Sequence, residues 1–288
     1  MELPPGAVEE FCERGFYLLR GCFSPEKARA AADWLHAQDH VRLAKSWTEQ
    51  EPAVPLAVFT RIHTDKTPIA ELASDKGMLA AAGALIGEEV YIWASKVNLK
   101  AAWCGTVEYY HQDLVYWKDR GYPKDEMLSC MIFLEPHGPA NGGLNVFPGS
   151  HKDGFIPHEP FININGLAKY MIAPKTLNGL KEKHGFLSIE ASPGDVLIFH
   201  TSLVHGSSHN SSPQGRMVVL SQLNTVGNEP AAVVKNAREF NLRRSKMEMD
   251  EAQRRYLWFK KKYEDQLSAQ ADVTFCAPIP EEEKGYDE

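Results

Sequence analysis

The run Thr106 to Trp117 reads as a strand rich in aromatic and β-branched residues, and it contains His111-Gln112-Asp113. In a strand, residues i and i+2 point to one face, so an imidazole and a carboxylate would project together. Two histidines and one carboxylate on one face of a metal form the facial triad that suits Fe(II) and leaves positions open for a cosubstrate and O2. A lone His-x-Asp carries little weight, but a second segment adds to it. After the turn Pro193-Gly194-Asp195 comes the apolar strand Val196 to Phe199, followed by His200-Thr201-Ser202-Leu203-Val204-His205-Gly206-Ser207. Eleven residues past His205 stands Arg216, at the start of another strand. Arginine offers a carboxylate a rigid two-pronged fork, and 2-oxoglutarate has a distal carboxylate while its keto-acid end chelates metal. One strand would supply two ligands, the later segment the third, and Arg216 the grip on the cosubstrate. Alternation puts Arg216, Val218, Leu220 and Gln222 on one face, the barrel interior if Arg216 has that role.

The elements around these residues are mostly short strands. Val90 to Lys100, Met127 to Glu135, Leu144 to Phe147, Leu187 to Glu190, Val196 to His200 and Met217 to Thr225 are separated by turn residues such as Asn141-Gly142-Gly143 and Pro148-Gly149-Ser150. Such spacing favours a β-sandwich or jelly roll over a parallel α/β sheet. Helices are predicted over Ala7 to Cys12, from the Ser24-Pro25 start to about Ala37, and over Ile69 to Ile86. We expect a single domain over 1–288. Residues 1–88 would support a β core over 89–226, with a lid insertion at about 152–185 and a helical tail over 227–288. The charged stretch 118–126 is a second lid candidate.

Composition narrows the function. The 288 residues are 43% hydrophobic and 24% charged, with a formal net charge of -7. Those values fit a globular protein with a core and argue against nucleic acid as a partner. No apolar run approaches the roughly 18 residues that span a bilayer, so no membrane contact is expected. The N-terminal MELPPGAVEEF has neither the basic nor the apolar region of a signal peptide. Five dispersed cysteines without a Cys-x-x-Cys argue against a zinc site or disulfide framework and for a cytoplasmic setting. Oligomeric state is not legible.

The ordered motifs resemble the phytanoyl-CoA dioxygenase superfamily, which includes the ectoine hydroxylases. They are Phe11…Gly15-Phe16…Leu19-Arg20-Gly21, then His111-Gln112-Asp113-Leu114, then Asn141-Gly142-Gly143-Leu144 with Phe147-Pro148-Gly149-Ser150-His151-Lys152, and finally Gly194-Asp195…His205-Gly206-Ser207 and Arg216, over roughly residues 8–225. The resemblance implies a mainly β double-stranded β-helix (jelly roll, cupin-like) with flanking helices. It implies Fe(II) on His111, Asp113 and His205, and 2-oxoglutarate on Arg216 with Ser207 as helper. Asn98, in Asn98-Leu99-Lys100, matches a residue that touches the cosubstrate in ectoine hydroxylases, and Met131 stands where phytanoyl-CoA hydroxylases carry an aromatic bordering it. Those ectoine enzymes carry a glutamine four residues before that asparagine. Here the position is Ala94, which argues against ectoine as the substrate.

The reading that follows is an Fe(II)- and 2-oxoglutarate-dependent dioxygenase using O2 to hydroxylate an unactivated C–H bond of a small molecule, with succinate and CO2 as co-products. Desaturation, ring closure or epimerisation with the same cofactors is the alternative, and a cupin-like metal-binding or small-molecule-binding protein is a second. The full carboxylate at Asp113 argues against halogenation, which needs a small residue there. By alternation Tyr109, and Trp117 if the strand stays regular, would line the substrate pocket. His200 is a rival to His205, but an offset of five residues need not share its direction.

Overall fold

The computed structural model describes residues 2–37, 62–64, 66–100, 102–103, 107–118, 122–162, 168–228 and 277–278. Helix α1 (Ala7–Arg14) ends at Gly15, whose φ of 79° suits glycine and turns the chain into β1 (Phe16–Leu19). Ser24 Oγ accepts the Lys27 amide and Pro25 takes the first helical position, starting α2 (Pro25–His36). The single helix predicted over 69–86 is two, α3 (Pro68–Ala73) and α4 (Lys76–Ile86). The break is local chemistry: the Ser74 hydroxyl donates back to the Ala70 carbonyl, and the Asp75 carboxylate accepts the Met78 amide and starts a fresh N-terminus.

The remaining described elements are mostly strands: β2 (Val90–Lys100), β3 (Glu108–His111), β4 (Met127–Phe133), β5 (Leu144–Val146), β6 (His158–Ile162), β7 (Ala168–Ile172), α5 (Pro174–His184), β8 (Leu187–Ser188), β9 (Val196–His200), β10 (His205–Ser207), β11 (Arg216–Thr225) and β12 (Ala277–Pro278). All strand pairings among the described residues are antiparallel. A five-stranded sheet runs β1-β9-β4-β11-β2, and a four-stranded sheet runs β3-β10-β5-β8. This is the expected double-stranded β-helix. The β6–β7 hairpin, with β12 beside β6, and α5 occupy the stretch expected to be an insertion, and β7 packs on β3. The tail helix expected over 227–288 lies outside the described residues, apart from 227–228 and 277–278, and so does part of the 118–126 loop.

Alternation along the large sheet sorts side chains into two cores. Val97, Leu99, Cys130, Ile132, Ile198, Met217 and Val219 pack against Leu35, Ile69, Met78 and Leu85 of the helices. Their neighbours Met131, Phe133, Leu197, Phe199, Val218 and Leu220 face the small sheet and meet its Leu144 and Val146. The site lies among these inward-facing positions. Among the described residues no helix is long and apolar enough to cross a membrane.

Candidate active site

The strand predicted from Thr106 to Trp117 ends at His111, and Asp113–Tyr116 form one turn of 3-10 helix. Gln112 makes the corner. Its amide nitrogen donates to the carbonyls of Gly154 and Ser202, its amide oxygen accepts the Ile156 N–H, and its own N–H donates to His158 Nε2. Fixing one residue from four directions ends the ladder, because a straight strand could not make these bonds. His111 and Asp113 therefore converge through a turn rather than through strand alternation.

Across the small sheet, His205 of β10 is paired directly with His111 of β3. His111, Asp113 and His205 are all buried, and one ligand atom from each lies within 4.8 Å of the others. Asp113 Oδ1 stands 3.5 Å from His111 Nε2 and 3.6 Å from His205 Nε2. Each imidazole is held from behind: Nδ1 of His111 donates to the Tyr109 carbonyl at 2.6 Å, and Nδ1 of His205 to the Leu203 carbonyl at 2.9 Å. Both bonds leave Nε2 with a free lone pair aimed at the centre. Burial pushes His205 down to about 4, against the pull of Asp113, so it is neutral near pH 7. Burial alone would raise Asp113, but His205, His111 and the Ser129 hydroxyl together hold it well below the usual carboxylate range. Two imidazoles and one carboxylate are a donor set that fits a divalent iron.

A second cluster lies beside it. Arg216 opens β11 and is paired with Lys100 at the end of β2. Both are buried. Lys100 Nζ donates to Ser207 Oγ at 2.8 Å and also to the Ser208 carbonyl. Arg216 Nε has no hydrogen-bond partner. Burial, with Arg216 alongside, depresses Lys100 well below the ordinary lysine value. Burial lowers Arg216 to about 10, which leaves it charged near neutrality. A buried guanidinium with an orphaned N–H, beside a buried lysine amine, fits an incoming carboxylate.

The other expected site residues fall as follows. Asn98 is paired with the inward-facing Val218 and so shares its face, and Met131 belongs to the inner core. Because β3 is bulged, alternation no longer argues for Tyr109. Its ring packs edge-on against Phe161 at 5.3 Å. Trp117 lies beyond the end of β3, buried, with its ring edge-on to Trp93 at 4.3 Å. Three other described histidines have structural work. His200 Nδ1 accepts the Ser202 amide, His137 Nε2 accepts the Leu144 amide, and His184 pairs with Asp153.

The sequence reading missed Ser129, Lys100, Lys96, Glu108 and Lys169. Lys96 and Lys100 were findable, since they alternate with Asn98 on one face of β2. Glu108 was hidden by the bulge: Glu108 pairs with Ser207 and His111 with His205, so Tyr109 and Tyr110 together oppose the single Gly206. Ser129 and Lys169 come from distant strands, and nothing local marks them.

This jelly roll, with two histidines and an aspartate on its inner face and a buried arginine beside them, defines an Fe(II)- and 2-oxoglutarate-dependent dioxygenase that takes O2 as cosubstrate. The phytanoyl-CoA dioxygenase (PhyH) family model matches residues 11–218, and the chain belongs to that family. The ectoine dioxygenase of Sphingopyxis alaskensis is 29% identical over 228 residues, covering 76% of this chain and 74% of its own. The L-proline trans-4-hydroxylase of Streptomyces griseoviridis is 29% identical over 177 residues, covering 58% and 66%. Among solved structures, EctD from S. alaskensis with 2-oxoglutarate and 5-hydroxyectoine superposes with a TM-score of 0.62 at 26% identity, over 79% of this chain and 78% of that one.

Proposed function

We propose that the enzyme hydroxylates an unactivated C–H bond of a small metabolite, with His111, Asp113 and His205 holding Fe(II) and Arg216, Lys100 and Ser207 receiving the distal carboxylate of 2-oxoglutarate. The observation that carries this reading is the convergence of the two imidazole Nε2 atoms and Asp113 Oδ1. Bound iron with its keto-acid ligand supplies the activation of O2, and 2-oxoglutarate leaves as succinate and CO2 while the substrate gains a hydroxyl. The protein supplies position and a dry enclosure. Tyr109 and Leu203 carbonyls orient the imidazoles, and Ser129 orients Asp113. Asn98 and Met131 line the approach to the cosubstrate. Arg216 gives a two-pronged grip and Lys100 a point charge, so the distal carboxylate stays fixed while the keto-acid end reacts. Retention of a full carboxylate at Asp113 favours hydroxylation over halogenation. Ala94 stands where ectoine enzymes carry glutamine, and that favours a substrate other than ectoine.

The test is succinate release from the iron-loaded enzyme across panels of amino-acid derivatives, small polar metabolites and natural-product intermediates. A substrate should raise succinate formation well above the uncoupled rate and gain one oxygen atom by mass. Desaturated or cyclised product with no added oxygen would move the outcome to the alternative chemistry.

A further inference from the structure

Ser129, whose hydroxyl holds Asp113, is paired with Gln222 of β11, and Gln222 is paired in turn with Ala94 of β2. Directly paired residues share a face of the sheet, and neighbouring strands lie about 4.8 Å apart. The face is the inner one: Ser129 reaches Asp113, and Gln222 alternates with Leu220 of the inner core, while Leu223 packs on the helices. Gln222 is buried, with 9% of its surface accessible. Among the described residues none makes a hydrogen bond to its carboxamide, and Ala94 beside it ends in a methyl group. The inward Ala94, Lys96 and Asn98 of β2 are half-buried, whereas the outward Ser95, Val97 and Leu99 between them are buried. The inner face of β2 therefore borders accessible space, and Gln222 stands at its edge.

A bulge brings an aromatic wall to the same place. Gln222 is paired with Ala94 but Leu223 with Ile92, so Trp93 is the extra residue of β2. Ile92 and Leu223 pack in the helix-facing core. Trp93 goes the other way. Its ring lies edge-on to that of Trp117, four residues past Asp113, at 4.3 Å, and its Nε1 donates to the Tyr122 hydroxyl in the 118–126 loop. With its one N–H engaged, the Trp93 indole offers ring surface alone. Trp93 is half-buried where Trp117 is buried, so Trp93 carries the accessible part of this wall. Re-aiming one side chain in this way is what a bulge beside an active site does.

We propose that the substrate carries a planar secondary amide, hydrogen-bonded to the Gln222 carboxamide and packed on the Trp93 ring, beside the metal centre. This rests on the reading of His111, Asp113 and His205 as that centre. A carboxamide both donates and accepts. A carboxylate would engage only its nitrogen and an ammonium only its oxygen, and either would leave half of a buried polar group unpaired at a cost. A –CO–NH– edge satisfies both halves at once, and its flat π system fits a tryptophan face. Gln222 is one strand away from the residue that holds Asp113, so the C–H bond that reacts belongs to a carbon close to the amide.

Cyclic amides and their N-methyl forms separate the hydrogen bond from shape. The probes are δ-valerolactam, dihydrouracil and the diketopiperazine of glycine and phenylalanine, each beside its N-methylated form. With the enzyme loaded anaerobically with Fe(II) and 2-oxoglutarate, each probe is titrated while the visible charge-transfer band of the chelate is followed. The same probes are titrated into metal-free protein by calorimetry. At least one N–H amide should bind about tenfold or more tightly than its N-methyl form. Gln222→Leu should reduce that ratio to below about twofold with the 2-oxoglutarate titration unchanged, and Gln222→Met serves as the second variant should Gln222→Leu not fold. Trp93→Leu should weaken both members of the pair by roughly fivefold and keep their ratio. Equal binding of N–H and N-methyl forms, no binding by any amide, an unchanged ratio in the folded Gln222 variant, or unaltered affinity in Trp93→Leu overturns the proposal. If the band never forms but calorimetry shows the N–H preference and its loss in the Gln222 variant, the amide site stands and the oxygenase assignment of the triad falls.

Discussion

The hydroxyl of Ser129, on β4 of the large sheet, donates to Asp113 Oδ2, in the 3-10 turn after β3, at 2.6 Å in a buried contact. One carboxylate oxygen is thereby tied to the scaffold while the other faces His111 and His205. Bonds of this kind behind a metal ligand typically contribute tenfold to a hundredfold in metal affinity. Ser129→Ala should weaken Fe(II) binding by about that factor in an anaerobic isotherm while the far-ultraviolet circular dichroism stays unchanged. Unaltered affinity would remove Ser129 from the support of the site.

Replacing Arg216 has opposite consequences for binding and for stability. Arg216→Lys keeps the charge but loses the fork, so the Michaelis constant for 2-oxoglutarate should rise by roughly tenfold, equivalent to about 1.4 kcal/mol. Arg216→Met removes a buried cation whose Nε has no partner. It should therefore leave the cosubstrate-free protein as stable as the parent or more so, while 2-oxoglutarate binding is lost. A large drop in thermal stability with an unchanged Michaelis constant would make Arg216 a structural residue instead.

His200 gives a pH prediction away from the metal centre. Burial, with His151 nearby, lowers it to about 4, against an unfolded value near 6.5. The unfolded chain therefore binds a proton there that the folded protein does not. Its contribution to stability is complete above about pH 6.5 and is lost as pH falls toward 4. Urea unfolding of metal-free protein between pH 7 and 4.5 should show a slope smaller by up to one proton in His200→Asn than in the parent. Identical slopes would contradict the neutral, half-buried state.

Gly206 permits the bulge that carries Glu108 inward. A Cβ there would stand 2.9 Å from the Glu108 carbonyl oxygen and 2.9 Å from the Tyr110 ring. Gly206→Ala should cost about 1–3 kcal/mol in unfolding free energy and also weaken Fe(II) binding, since His205 and His111 are paired next to it. A variant with parental stability and metal affinity would show that the ladder has room to give.

The parts of this account legible in the sequence are those set by local chemistry. Glycine- and proline-bounded strands forecast the jelly roll, and the spacing His111-x-Asp113…His205…Arg216 picked out the residues that the fold brings together. Alternation along β11 sorted Val218 and Leu220 inward, because this strand packs helices on one face and a second sheet on the other. The end of β3 was not legible, since it depends on Gln112 reaching carbonyls at Gly154 and Ser202. Nor was the approach of Lys169 to Glu108, which spans 61 positions in the chain. The split of the 69–86 helix could have been read from Ser74-Asp75, a capping pair inside an otherwise apolar pattern.

On the reading proposed above, His111, Asp113 and His205, and not His200, hold the iron that 2-oxoglutarate chelates. Metal-free protein titrated anaerobically with Fe(II) and then 2-oxoglutarate should develop the weak visible charge-transfer band of a keto-acid chelate. His200→Ala should develop it as fully as the parent, and His205→Ala should not develop it at all. A full band in His205→Ala together with its loss in His200→Ala would contradict the assignment.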